Sequence, residues 1–148
     1  MPNIFWDTSA LARRYIHEEP GSARVTAACE ASAATLFVSS LLSVEIASTL
    51  ALKVRTGEMS VHERESNWEL FGLDLRRQYQ ILPLSEPMFE RAQKLLFRHT
   101  LRAYDALHLA AALALRAAAP ALDLEFWTAD RQQAQAADQE GLRVQLIG

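Results

Sequence analysis

Cysteine is almost missing from this chain. Cys29 is the only one among 148 residues, which excludes an internal disulfide and a multi-cysteine zinc site and suits a reducing cytoplasm. Cys29 itself reads as a small apolar residue on a helix. Long hydrophobic runs are missing too. The most apolar stretch, Ala103 to Leu115, is interrupted by Asp105 and His108 and is shorter than the about 20 residues of a membrane span. The N-terminus lacks a basic region followed by an apolar core and a small-residue cleavage site, so no targeting segment is expected. Basic residues are not in excess. The formal net charge of −3 argues against broad non-specific binding to nucleic acid but leaves room for a local basic groove. Internal repeats and low-complexity linkers are absent, and the length fits one domain over residues 1–148 with a sizeable core.

What is present is the composition of a folded globular protein, with half the residues hydrophobic and 22% charged. Short apolar stretches alternate with longer helical ones. Strands are expected at 3–7, 35–40, 79–84, 124–130 and 143–147. Helices are expected at 9–17, from 23 to about 32, at 42–55 with Gly57 closing it, from Ser60 to about 77, from a Ser85 cap to about 99, at 101–118, and from about 131 to Gly141. Helical connections of a dozen residues between strands imply a mostly parallel sheet covered on both faces.

Function in such a sheet gathers beyond the carboxyl ends of the strands. Asp7 ends the first strand and Asp130 follows the fourth. Each suits a helix N-cap, worth about 1 kcal/mol, and taken singly the cap explains them somewhat better. Asp105 lies in "RAYDALHLAAALAL", where the helix is otherwise apolar nearly all round. A buried carboxylate there needs a partner, a metal or a raised pKa. His108, three residues on, is a local partner and reads mainly as structural. Glu45 is the only charged residue between Ala31 and Leu52, whereas a solvated helix face normally carries several charges. If the four acids converge, their repulsion requires a cation, and oxygen ligands select magnesium or manganese. Carboxylates holding one or two such ions are a common apparatus for hydrolysing phosphodiesters.

The ordered set "DTSA" at Asp7 to Ala10, the glutamate in "SVEIA", "YDALHLAAA" at Tyr104 to Ala112 and "WTAD" at Trp127 to Asp130 resembles PIN domains. It is most similar to the toxins of VapBC-type toxin–antitoxin pairs, and the likeness runs through essentially the whole chain. The resemblance implies a three-layer α/β/α sandwich around a central five-stranded sheet and a magnesium- or manganese-dependent ribonuclease that uses a metal-activated water. It implies catalytic and metal-binding roles for Asp7, Glu45, Asp105 and Asp130, supported by Thr8, Ser9 and Thr128. It further implies a homodimer and a small VapB-like antitoxin, through which any contact with DNA is indirect. Trp6 and Trp127 are bulkier than the residues usual before these motifs, and "DRQQAQ" after Asp130 is more polar than usual. With four acids forming the site, the cap role at the first helix is expected to pass to Thr8 or Ser9.

Arg13, Arg14, Arg98 and Arg102 are candidate contacts to RNA phosphates, the latter two within a basic cluster with Arg91, Lys94 and His99. A solvated helix face balanced by Glu86 and Glu90 explains that cluster about as well. Trp68, Phe71 and Tyr79 read as core or as a groove for an antitoxin helix, ahead of base stacking. A phosphotransfer receiver is disfavoured because the third strand ends "ILPLS" and the fifth "VQLIG", without the aspartate and lysine it needs. An aspartyl phosphatase is disfavoured because Ser9 stands where a second aspartate belongs. A housekeeping PIN-like nuclease and an inactive PIN-like binding module are the remaining alternatives.

Overall fold

The structure, a computed structural model, describes residues 2–148. Five strands form one sheet: β1 (Asn3–Trp6), β2 (Thr35–Ser39), β3 (Tyr79–Leu82), β4 (Leu124–Thr128) and β5 (Arg143–Leu146). Their order is β3-β2-β1-β4-β5, and every pairing is parallel. The helices are α1 (Thr8–Leu11), α2 (Ser22–Glu30), α3 (Leu42–Arg55), α4 (Val61–Arg77), α5 (Glu86–Arg98), α6 (Ala103–Ala118) and α7 (Arg131–Gln139). The expected α/β/α sandwich is therefore present, with a sheet that is wholly parallel.

Strand alternation builds two cores. Ile4, Trp6, Leu36, Val38 and Trp127 point to one face and pack with residues of α1–α4, such as Leu11, Val25, Ile46 and Phe71. Phe5, Leu124 and Phe126 point to the other face, where Leu95, Leu109 and Ala136 from α5–α7 cover them. The Phe5 and Phe126 rings stack at 5.9 Å on one face, and Trp6 and Trp127 meet at 4.9 Å on the other. Room for both large indoles on one face accounts for the bulky residues before the two acidic motifs. The Trp6 indole N–H is the one fully buried side-chain donor without a partner among the described residues. Cys29 is buried on α2, and burial pushes its thiol up to about 12, so it is an inert core residue.

Several boundaries move for identifiable reasons. The first helix is not a continuous 9–17 segment. It is four residues of α-helix followed by a 3-10 turn at Ala12–Arg14, after which Tyr15 and Ile16 turn into the core. The fourth strand stops at Thr128 because Asp130 already caps α7. Gly57, at φ +78°, closes α3 as expected. Ser60 and Glu63 form the expected capping box on α4, whereas Ser85 occupies the N-cap of α5 without a side-chain bond. Among the described residues no helix is long and apolar enough to cross a membrane.

The strand order places the site. The chain winds from β1 through β2 to β3 in one direction, then crosses to β4 and β5 on the other side of β1. The carboxyl ends of β1 and β4 thus form the crevice at which open parallel sheets bind ligands. The Asp7 backbone N–H donates to the Trp127 carbonyl at 2.9 Å, which ties the two strand ends together.

Candidate active site

Asp7 leaves β1 into this crevice and is only 2% exposed. Its Oδ2 accepts the Ser9 backbone N–H at 3.0 Å and the Ser9 hydroxyl. Asp7 is therefore itself the N-cap of α1, and the cap role does not pass to Thr8 or Ser9. Its Oδ1 accepts the side-chain amide of Gln133 at 2.9 Å. Ser9 links the two acidic motifs, because its Oγ also accepts the Ala129 N–H at 3.0 Å and lies 3.2 Å from the Thr128 hydroxyl.

Asp105 stands in the first turn of α6, 9% exposed. Burial, and then the charge of Asp7, raise its pKa above the ordinary aspartate value, and Arg102 only partly opposes them. Asp105 thus senses the charge of Asp7. Arg102 donates to Asp105 Oδ2 from its backbone at 3.3 Å and from Nε at 3.4 Å, and its guanidinium also lies 3.9 Å from Asp130 Oδ2. Asp130 caps α7, accepting from the Gln132 and Gln133 backbone at 2.8 and 3.2 Å. The Asp130 backbone N–H in turn donates to Thr128 Oγ1 at 3.1 Å.

Glu45 projects from the first turn of α3. Its Oε1 accepts the Thr8 hydroxyl at 2.9 Å and a short hydrogen bond from His108 Nε2. His108 is fully buried, and its Nδ1 reaches Ser39 Oγ at 3.0 Å. Burial disfavours the imidazolium, but the Glu45 bond and the charges of Asp7, Glu45 and Asp105 outweigh it and raise the His108 pKa. Burial likewise works against the Glu45 charge, and His108 and Thr8 more than offset it, so Glu45 titrates below its usual range. In its imidazolium form His108 donates from Nε2 to Glu45 and from Nδ1 to Ser39 Oγ. His108, read from the sequence as structural, is thus in direct contact with one of the four acids.

A groove of about 450 Å3 opens beside these groups, lined in part by Thr8, Ser9, Arg13, Glu45, Arg102 and Tyr104. Of the four candidate phosphate contacts, Arg102 is 85% exposed on this groove. Arg13 also lines it, with its guanidinium bonded to the Ser9 and Pro20 carbonyls. Arg14 is committed elsewhere. It is 13% exposed and donates to Gln78 and Tyr79 at 2.7 and 2.8 Å, 3.5 Å from Asp74. Arg98 pairs with both oxygens of Glu140 at 3.0 Å, beside His99.

Sequence reasoning missed Gln133 and Ser39. Gln133 is 0% exposed and touches Asp7, the Asp105 carbonyl and Thr128. The available signal was its spacing, since Gln133, Ala136 and Ala137 fall on one face of α7 and all three are buried.

The donors suit a hard divalent ion. The candidate ligands are carboxylate oxygens. Glu45 Oε2 and Asp105 Oδ1 accept no hydrogen bond from the described residues. The mutual repulsion of Asp7 and Asp105 is a charge that a cation would relieve. Among the described residues, however, no three acidic, histidine or cysteine side chains are already gathered into a cluster able to hold an ion.

Comparison with known proteins identifies the family of the fold. The PIN domain family model matches residues 4–139. The structure is similar to that of VapBC2 from Rickettsia felis bound to a DNA fragment from their promoter. That match has a TM-score of 0.66 and 11% identity and covers 99% of each chain. It is also similar to PAE2754 from Pyrobaculum aerophilum, with a TM-score of 0.64 and 16% identity over 97% of this chain and 83% of that one. Mycobacterium tuberculosis VapC20, a sarcin–ricin loop cleaving toxin, matches with a TM-score of 0.62 and 18% identity over 90% of this chain and 94% of that one. No curated protein matches by sequence. With the family model spanning nearly the whole chain, on a fold of the matching α/β/α architecture, the chain belongs to the PIN domain family.

Proposed function

We propose that this PIN domain is a divalent-metal-dependent endoribonuclease, the toxin of a VapBC-type pair acting in the cytoplasm. The observation that carries the reading is the Asp7–Asp105 pair. Two buried carboxylates sit at the switch point of the sheet, and one raises the pKa of the other. Asp7, Glu45 and Asp105 would hold a magnesium or manganese ion, and Asp130 completes the site or serves a second ion. When bound, such an ion would supply an activated water and offset charge on the phosphate.

The chain's own residues do the rest. Ser9 and Gln133 hold Asp7 by separate oxygens. Thr8 and His108 hold Glu45 by Oε1, so that Oε2, which accepts no hydrogen bond from the described residues, would be available to an ion. The exposed Arg102 moves from Asp105 and Asp130 to a substrate phosphate, and Arg13 offers a second cation on the same groove. Arg14 and Arg98 are left out of this role because neither lines this groove and each pairs with a carboxylate elsewhere, Arg14 with Asp74 and Arg98 with Glu140.

The structural likeness to VapC20, a sarcin–ricin loop cleaving toxin, supports a cleaving toxin, and RNA is the substrate in this reading. We read the partner as a small VapB-like antitoxin through which any contact with DNA is indirect, and the likeness to VapBC2, solved bound to a DNA fragment from their promoter, supports a toxin–antitoxin pair. A homodimer is part of the same reading. Val44, Leu52, Val61 and Trp68 are exposed apolar residues of α3 and α4 that suit an antitoxin helix.

The test is cleavage of a structured RNA with manganese, with manganese and excess chelator, and by Asp7→Asn. The expected result is manganese-dependent cleavage that leaves 5′-phosphate ends, lost with chelator and reduced at least about a thousandfold in Asp7→Asn, as for removal of a group on which the transition state depends. Cleavage that survives the chelator would exclude the proposal.

A further inference from the structure

We propose that Gln133 is a positioning residue of the acidic site, whose neutral side-chain amide fixes the Asp7 carboxylate and so sets its affinity for a divalent cation. This inference rests on the metal-dependent reading above. Gln133 is 0% exposed. Its Nε2 donates to Asp7 Oδ1 at 2.9 Å and to the Asp105 carbonyl at 3.1 Å, and its Oε1 accepts the Thr128 hydroxyl at 2.6 Å. All its donors and one acceptor position are therefore assigned.

The orientation of the amide is forced. An ionised carboxylate and a peptide carbonyl only accept, so an amide turned the other way would set its oxygen against two acceptors and its NH2 against Thr128. One side chain thus joins the end of β1, the first turn of α6, the end of β4 and its own helix α7. Ser9 holds the other oxygen of Asp7, so Gln133 completes the restraint on the carboxylate plane.

Neutrality is the second half of the argument. A lysine or arginine at 133 would also bond Asp7 but would cancel the charge that draws the ion. An apolar residue would pack as Ala136 and Ala137 do on the same face, but it would leave Asp7 Oδ1, the Asp105 carbonyl and the Thr128 hydroxyl without this partner. An amide orients the carboxylate without neutralising it. Groups that hold a metal ligand in this way typically change metal affinity by about 10- to 100-fold when removed.

The test is calorimetric titration of the metal-free protein with manganese chloride. The proteins compared are wild type, Asp7→Asn, Gln133→Met, Gln133→Asn and, as a control on an exposed face of the same helix, Gln135→Met. Titrations run well below each melting temperature, so that a merely structural loss leaves the affinity of the folded protein unmoved. The inference predicts affinity weakened about 10- to 100-fold in Gln133→Met. Gln133→Asn, with a donor one methylene too short, should fall between Met and wild type, and Gln135→Met should equal wild type. Wild-type affinity in folded Gln133→Met overturns the inference and leaves the nuclease reading standing. Should Gln133→Met not fold, wild-type affinity in Gln133→Asn overturns it equally. If wild type fails to bind manganese, or Asp7→Asn binds it as well as wild type does, the metal-site reading falls and this inference with it.

Discussion

Asp105 tests whether the site is built for a cation. Its pKa is raised by burial and by the charge of Asp7, so the folded protein holds the proton more tightly than the unfolded chain does. Folding stability therefore falls as pH rises from the ordinary aspartate value through the raised one, and the loss persists above it. Asp105→Asn removes that loss. Without metal at neutral pH, the variant should melt at or a few degrees above wild type, by the relation of about 2–4 °C per kcal/mol for a chain of this size. The difference should shrink in acid, where both side chains are neutral. Manganese should raise the melting temperature of wild type more than that of the variant. A metal-free Asp105→Asn that melts well below wild type at neutral pH would show the carboxylate to be a structural partner.

Asp105 and Glu45 stood out in the sequence as charges in apolar helices, and Asp7 and Asp130 as carboxylates at strand ends. Neutral groups did not stand out. Nothing in "DRQQAQ" marks Gln133 above Gln132 or Gln135, and only the phase of α7 turns it inward. His108 looked structural because spacing alone paired it with Asp105, whereas α6 packs against β2 and carries it to Ser39 and, through one side-chain bond, to Glu45 of α3.

The elements followed local rules closely enough that their number and kind were legible, with their ends less so. The capping box of α4 is a clear case. Ser60 Oγ accepts from Glu63 N at 3.0 Å, and Glu63 accepts from Ser60 N at 3.3 Å. Ser60→Ala should cost about 1 kcal/mol, seen as a melting temperature lower by about 2–4 °C with RNA cleavage unchanged. A loss of cleavage at temperatures where the variant is fully folded would tie α4 to the site in a way its position does not suggest.

Adjacent arginines show what an element's neighbours add to its sequence. Arg13 and Arg14 look alike in "ALARRY". The 3-10 turn sends Arg14 toward α4 and β3, where it joins Tyr15, Asp74, Gln78 and Tyr79 in one hydrogen-bonded cluster. Arg14→Ala should cost about 2 kcal/mol or more, as for hydrogen bonds to a charged group, without changing the salt dependence of RNA binding. Arg102→Ala should change stability by less than about 0.5 kcal/mol and flatten the logarithmic salt dependence of RNA binding by about one unit. Thermal melts with RNA titrations at several salt concentrations check both. The reverse pattern would return Arg14 to the RNA contacts.

For the whole molecule, alternation along three central strands explains the two-sided core, since Phe5 and Phe126 face α5–α7 while Trp6 and Trp127 face α1–α4. That pattern made the layered fold legible. The strand order was not, because no local rule says that β4 pairs with β1 rather than with β3. Yet this order makes the site. It sets two strand ends side by side, so that residues 7 and 130 share a crevice although most of the chain lies between them.

If these acids hold the ion that drives RNA hydrolysis, RNA cleavage by wild type and Asp105→Asn, with and without manganese, separates the two proteins. Wild type should cleave only when manganese is present, and Asp105→Asn little or not at all in either condition, although the variant remains folded. Equal cleavage by the two proteins would refute the metal site.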